Sequence, residues 1–453
     1  MHNEERLGTQ KLPSLLCSLA IPSIIAQLVN LLYNIVDRMY IGHMAGSGGL
    51  ALTGLGLCSP IILVISAFAA FAGQGGAPLA AIEMGRGNKK AAEKILGNAI
   101  VMILFCSVAL TVLFMIFKTP LLYLFGASSD TIEYANSYIT IYLFGTVFVQ
   151  IALGLNPYIS CQGQAKTAML STLIGAVANT ILDPIFIFVF DMGVKGAALA
   201  TVISQFFSAV WVASFLLSKR STFALSAEIL RPRLPVIGKI AALGVSPFIM
   251  QSTESIIQVV FLSGLQNYGS DLYVGSMTIL QSIMQLATTP VMGFNQGVQP
   301  VISYNYGAGN YGRVRTCFRA SLVISMGYTS LFCLSAVLFP GIFAGLFTDS
   351  ADLVGIVKSV LPVYIGGVWM FGLQMAVQNT IVGLGQAKTS VFLACLRKII
   401  LLTPLALILP RFFGVMGIYW AEPVSDITSA SIAGILYIIL SRRLLTKDQA
   451  SSV

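Results

Sequence analysis

Long apolar stretches recur along the whole chain, separated by short runs rich in charge, glycine or proline. Segment 99–117 reads AIVMILFCSVALTVLFMIF and segment 181–190 reads ILDPIFIFVF. A helix crossing a bilayer needs about 20 mostly apolar residues. Windows of that kind fall at 14–37, 51–80, 94–117, 134–157, 167–190 and 195–218, then at 239–265, 273–301, 317–339, 354–380, 389–410 and 415–440. The pattern predicts an all-α polytopic membrane protein of twelve transmembrane helices. The longest polar interruption, 219–238 (KRSTFALSAEILRPRLPVIG), reads as a linker between an N-terminal six-helix lobe, 1–218, and a C-terminal one, 239–453.

A second pattern lies over the first. CQGQAKT at 161–167 and GLGQAKT at 383–389 share Gly-Gln-Ala-Lys-Thr at an offset of 222 residues. Lys166 and Lys388 each follow Ala, where a phosphate-binding loop needs Gly, so nucleotide binding is set aside. The same offset places Pro78 on Pro300, and Gly85, Gly87 and Asn88 on Gly307, Gly309 and Asn310. It also pairs Phe125 with Phe347, Tyr142 with Tyr364 and Gly145 with Gly367. The chain is an internal duplication. With six spans before the second copy, both halves run the same way through the membrane. That predicts two homologous lobes about a pseudo-twofold axis along the membrane normal, with a site between them.

Composition sharpens the membrane assignment. Hydrophobic residues make up 56% of the chain and charged ones 9%, against roughly 25% charged in a soluble domain. Lys and Arg are uneven: the two ends and loops 2–3, 4–5, 6–7, 8–9 and 10–11 hold 19, the opposite loops five. By the positive-inside rule both termini and each GQAKT turn are expected to be cytoplasmic. The net charge of +9 then reflects topology and attraction to anionic lipid, with no call for nucleic acid. Seven scattered Cys without a CxxC, and only His2 and His43, argue against a metal centre or a disulfide framework. No cleavable signal peptide is evident, because a polar start leads into a full-length first span.

Polar residues inside the spans are the candidate chemistry, since a charge in hydrocarbon is costly without a partner or a wet cavity. In helix 1, Gln27, Asn30, Asn34 and Asp37 recur at steps of three and four and share a face. In helix 5, Asn179 and Asp183 stand one turn apart, with Pro184 next. Nothing in 167–190 pairs ionically with Asp183, so this acid can load and lose a proton, or hold Na⁺ with amide and hydroxyl oxygens. Helix 6 offers Thr201 among small residues. Helix 7 carries Gln251, Glu254 and Gln258, where Glu254 reads equally as a C-lobe ion or substrate group and as structure. Arg397 and Lys398 of helix 11 can neutralise Glu422 and Asp426 of helix 12, which reads as a structural ion-pair network. Asn156, Gln281, Met284, Met292, Gln374 and Gln378 complete a set of amides and pliable Met suited to a promiscuous cavity. No nucleophile–base or cofactor constellation appears, so an enzyme is not expected.

At these residues the sequence resembles a known family, the multidrug and toxic compound extrusion (MATE) transporters, in their bacterial DinF/MepA-like branch. The stretches that carry the resemblance are NIVDRMYIGHM, the MGRGN and YGAGN turns, both GQAKT turns, NTILDPIFIF with GVKGAALAT, and FGVMGIYWAEPVSD. The resemblance spans essentially the entire chain. It implies export of cationic amphipathic compounds across the bacterial cytoplasmic membrane in exchange for H⁺ or Na⁺, by alternating access of two lobes and with no other cofactor. It further implies an N-lobe ion site at Asp37, Asn179, Asp183 and Thr201; for the oligomeric state, which the sequence leaves open, a monomer is the default expectation. The NorM-like branch instead pairs a helix 7 Glu with a helix 10 acid. Glu254 matches the first, but helix 10 holds Gln374 and Gln378. An exporter of a specific metabolite and a lipid-linked saccharide flippase stand as alternatives, the flippase requiring a basic cavity.

Overall fold

The computed structural model describes residues 5–44, 48–348 and 350–445, and every regular element among them is helical. A short leading helix (Glu5–Thr9) precedes the first lobe. That lobe comprises α1 (Leu12–Gly42), α2 (Gly48–Gly85), α3 (Lys89–Leu124), α4 (Ile132–Phe144 and Thr146–Ser160), α5 (Ala165–Pro184) and α6 (Gly193–Leu217). The second comprises α7 (Leu234–Tyr268), α8 (Asp271–Gly307), α9 (Tyr311–Leu338), α10 (Ala351–Tyr364 and Val368–Gly383), α11 (Ala387–Cys395, continuing to Ile408) and α12 (Val415–Leu444). Among the described residues ten of these are long and apolar enough to cross a membrane, and the two pieces of α4, bent by 59°, make an eleventh. The twelfth, α8, matches its neighbours in length but is studded with Gln, Asn, Thr and Ser. The expected linker is shorter than 219–238, because α7 begins at Leu234.

The duplication explains the breaks in α4 and α10. At Gly145 an added Cβ would lie 2.5 Å from the Val202 side chain of α6, and at Gly367 it would lie 2.6 Å from the Cα of Pro423 of α12. Only a residue without a side chain lets the bent span press so closely on the sixth helix of its own lobe. Both copies of the GQAKT turn also rest on glycine. Gly163 (φ 79°) and Gly385 (φ 69°) hold the left-handed conformation that closes one helix and turns into the next. The repeated phrase is thus a helix–helix connector.

The two lobes meet along one half of the membrane thickness, the half ending at the GQAKT turns. There Gly75 of α2 lies against the α7 backbone, where a Cβ would fall 2.5 Å from the Ile240 carbonyl. Its duplicate Gly297 of α8 lies against α1, where a Cβ would fall 2.6 Å from the Ala20 Cα. Phe68 of α2 meets Phe248 of α7 edge-on at 4.9 Å. Nearer the turns, Gly85 abuts Tyr304 and Gly307 abuts Ile82. Small residues at matched positions thus close this face, and beyond Gln27 and Phe248 the exposed polar side chains Asn30, Asn34, Gln258 and Gln285 mark a cleft between the lobes.

Candidate functional site

Helix 1 shows which way the cleft lies. At about 100° per residue, the exposed side chains Ile21, Ile25, Leu32, Ile35 and Met39 cluster on the face opposite Asp37, which is the lipid side. Asn30 and Asn34, also exposed, stand on the Asp37 side and therefore face the cleft. Gln27, one turn nearer the closed face, donates from Nε2 to Oε1 of Gln296 across the lobes at 2.7 Å. This contact is the cleft floor. On α8, Gln281, Gln285, Thr288, Met292 and Gln296 repeat at steps of three and four and form the opposite wall. On α7, the face that packs on α2 near the turns continues outward as Gln251 and the exposed Gln258.

The acids of the first lobe sit behind the α1 wall. Asp37, Asn179, Asp183 and Thr201 are all buried, with Asp183 fully so. Asn179 Nδ2 donates to Asp183 Oδ1 at 3.2 Å and lies 3.5 Å from the Thr201 hydroxyl. Thr201 in turn donates to the Ala197 carbonyl at 3.0 Å. The Asp37 and Asp183 carboxyls are neighbours, and a hydrogen bond between them requires a proton on one of them. Three buried acceptor atoms, Asp37 Oδ1, Asn179 Oδ1 and Asp183 Oδ2, have no hydrogen-bond partner. None of the four ion pairs among the described residues involves either acid. The cluster is acceptor-rich and free of a paired cation.

Two members of this cluster escape the sequence reading. The phenols of Tyr33 (α1) and Tyr138 (α4) lie beside Thr201 and Asp37. Tyr33 stands one turn before Asp37, a signal available in the sequence, whereas Tyr138 becomes visible only when α4 folds against α6. Immediately after Asp183, Pro184 leads into a π-helical stretch, Ile185–Val189, a local widening often found at functional sites. Asn156 stands apart from the cleft walls: its amide donates to the Ala168 carbonyl at 2.9 Å and to the Ser171 hydroxyl, tying α4 to α5.

The second lobe is built on opposite electrostatics. Arg397 donates from Nε to Asp426 at 2.7 Å and from Nη2 to Glu422 at 3.0 Å, and its guanidinium lies 5.1 Å from the Phe371 ring centre. Arg397 thus bridges the two acids of α12. Lys398 differs from expectation. It reaches away from α12 to Glu254 of α7, meeting both carboxylate oxygens at 2.9 and 2.8 Å. Both cations ride on the π-helical stretch Leu396–Leu402. Its loosened carbonyls are satisfied by side chains, Ser425 donating to Arg397 O and Thr403 to Lys398 O. Glu254 keeps half its side chain exposed. Gln374 and Gln378 are buried within the lobe rather than on the cleft wall, with Gln378 donating to Ser246 and Ser390. Met292 is exposed and Met284 packs partly against the lobe's core.

A duplicated pair of six-span helical lobes, closed at one membrane face around a polar cleft, is the architecture of a membrane transporter. The MatE family model matches residues 22–185 and 246–408, one copy in each lobe, and the chain belongs to this family. The multidrug export protein MepA of Staphylococcus aureus is 24% identical over 435 residues, covering 96% of this chain and 95% of that protein. MepA of Staphylococcus saprophyticus is 25% identical over 438 residues, covering 95% and 94%. An outward-facing multidrug resistance MATE family transporter of the MOP superfamily superposes with a TM-score of 0.88 at 24% identity, over 95% of this chain and 96% of that one. A MOP superfamily transporter from Pyrococcus furiosus gives 0.90 at 23% identity, over 97% and 98%. The family, the two-lobe fold and the multi-pass membrane character expected from the sequence are borne out.

Proposed function

We propose that this protein is a secondary active antiporter that exports cationic amphipathic compounds in exchange for H⁺ or Na⁺. It works in the bacterial cytoplasmic membrane as a monomer, with both termini and the closed face toward the cytoplasm. The observation that carries the reading is the buried Asp37–Asn179–Asp183–Thr201 cluster, two acids without a paired cation directly behind the α1 wall of the cleft. The relatives named as multidrug export proteins support the choice of cargo.

In this reading the cleft is open to the outside, so an incoming ion reaches Asp37 and Asp183 along the polar face of α1. A proton held between the two carboxyls, or Na⁺ held by their oxygens with Asn179 and Thr201, removes negative charge from the wall that a cationic cargo faces. Cargo and ion thus compete for one charge, which gives each a different preferred state. Without that difference neither could move the equilibrium. The amides and Met292 along the cleft supply contacts of low directional demand, suited to varied cargo. The cleft acids favour a cation over the pyrophosphate of a lipid-linked saccharide, and the basic Lys398 is already bound to Glu254.

The test is efflux of ethidium from proteoliposomes of known orientation, under a pH gradient alone and a Na⁺ gradient alone. The native protein should transport under at least one gradient. Asp183→Asn should lose that transport while retaining part of its ethidium binding. Normal pumping by Asp183→Asn would move the ion site to Glu254, and no transport by the native protein would favour a metabolite exporter or flippase.

A further inference from the structure

The leading helix (Glu5–Thr9) is only five residues long, yet Leu7 is fully buried. A helix this short does not persist in isolation, and its terminal carbonyls have no partners within it. The second lobe supplies them. Asn305, at the end of α8, donates from Nδ2 to the Leu7 carbonyl at 2.9 Å. Arg313, in the first turn of α9, donates from Nη2 to the carbonyls of Leu7 at 3.2 Å and Gln10 at 2.9 Å. Its Nε reaches Asn305 Oδ1 at 3.1 Å. A guanidinium at a helix C-terminus is also favoured by the aligned peptide dipoles. Gly8 lies flat on the Tyr304 ring, where a Cβ would fall 3.0 Å from the ring edge.

This clasp spans the lobes, because the leading helix is continuous with α1 while α8 and α9 belong to the second lobe. The duplicated turn of the first lobe has Glu83 and Ala91 where this one has Asn305 and Arg313. The clasp is therefore a feature of one side only. The segment that precedes α7, the repeat of α1, is likewise docked on the opposite lobe: Arg233 N donates to Asn98 Oδ1 at 2.7 Å and Ala224 N to Glu93 Oε1 at 2.9 Å. That segment joins the lobes covalently, whereas the leading helix is held by these contacts. Between Gln10 and α1 lies a single residue, Lys11. At about 3.3–3.6 Å per residue, α1 cannot leave α8 by more than roughly 7 Å while the clasp is engaged.

We infer that the leading helix is a latch: Arg313 and Asn305 hold it across the lobes, and opening of the closed face requires its release. The purpose of the latch rests on the alternating-access reading above, but its test needs neither cargo nor gradient. Ile82 is buried in the seam, with its side chain near Gly385 of the other lobe. In a Cys17→Ser background, which removes the one exposed cysteine, the labelling rate of Ile82→Cys by N-ethylmaleimide reports opening. Arg313→Ala and Leu7→Asp cut the latch from its two sides. Each should raise the rate about tenfold, equivalent to about 1.4 kcal/mol in the closed–open equilibrium. The double variant should match the single ones within about twofold, as two cuts of one contact do. Lys388→Ala, a charge removed from the same face outside the latch, should leave the rate unchanged. Single variants that label at the parent rate, increments that multiply in the double variant, or an equal rise in Lys388→Ala would each overturn the inference.

Discussion

Removing Arg397 should unfold the second lobe far more readily than its single hydrogen-bonding group suggests. Its guanidinium serves two buried carboxylates at once, with side-chain exposures of 10% for Arg397, 7% for Glu422 and 2% for Asp426. Arg397→Met keeps the volume and abandons two acids in a low-dielectric core. Breaking a buried pair from one side costs about 3–5 kcal/mol, because the remaining charge is left uncompensated. At roughly 2–4 °C per kcal/mol for a unit the size of one lobe, the midpoint should fall by about 6 °C or more. The cysteines other than Cys17 are buried or half-buried, so a thiol-reactive fluorophore in a thermal ramp reads the transition. The triple variant Arg397→Met, Glu422→Gln, Asp426→Asn removes every charge of the network and should recover most of the loss, since replacing a whole buried pair by neutral groups is close to neutral. A single variant within about 2 °C of the native midpoint, or a triple variant no better than the single, would refute the reasoning.

Two further expectations follow from the same structure. Gly367→Val should lower the yield of folded protein sharply and Gly355→Val should not. The first forces side-chain atoms onto the Pro423 backbone at a cost of at least about 1–3 kcal/mol, while a Cβ at Gly355 meets nothing within 4 Å; size-exclusion recovery compares the two. Gln162 is buried and accepts from Thr222 N at 2.7 Å and the Ser221 hydroxyl at 3.2 Å. Gln162→Ala should therefore loosen the inter-lobe connector and speed trypsin cleavage at Lys219 or Arg220, whereas Leu384→Ala at the duplicate position should leave that cleavage unchanged.

The span pattern, the duplication and the pairing of Asn179 with Asp183 were all legible in the chain, because each rests on spacing along one helix. Gly145 and Gly367 could be matched by register, but their purpose was hidden. It depends on Val202 and Pro423, which arrive from another helix. The charged residues of the second lobe were legible as a set and not as partners. Arg397 and Lys398 are adjacent in sequence and therefore project about 100° apart on α11, so one meets α12 and the other α7, a choice of partner that depends on which helices pack against each side. Gln374 and Gln378 share the composition of cleft residues but lie buried inside the lobe, where Gln378 meets Ser246 of α7 and Ser390 of α11, partners that spacing along α10 does not reveal. Tyr138 joins the acid cluster only because the first piece of α4 packs against α6.

The polarity of α8 has a consequence for how the chain is made. A segment with Gln281, Gln285, Asn295, Gln296, Gln299 and Asn305 along its length is poorly suited to leave a translocon for lipid unaided, because each such side chain at membrane depth opposes insertion. Its glycine-lined surface and part of its polar surface are covered by α1, α2 and α9, and the remaining amides face the cleft. Two of those helices are synthesised long before it and are already in the bilayer when α8 emerges. The first lobe therefore acts as an assembly platform for the least hydrophobic helix of the second, and a second lobe expressed alone should integrate α8 inefficiently.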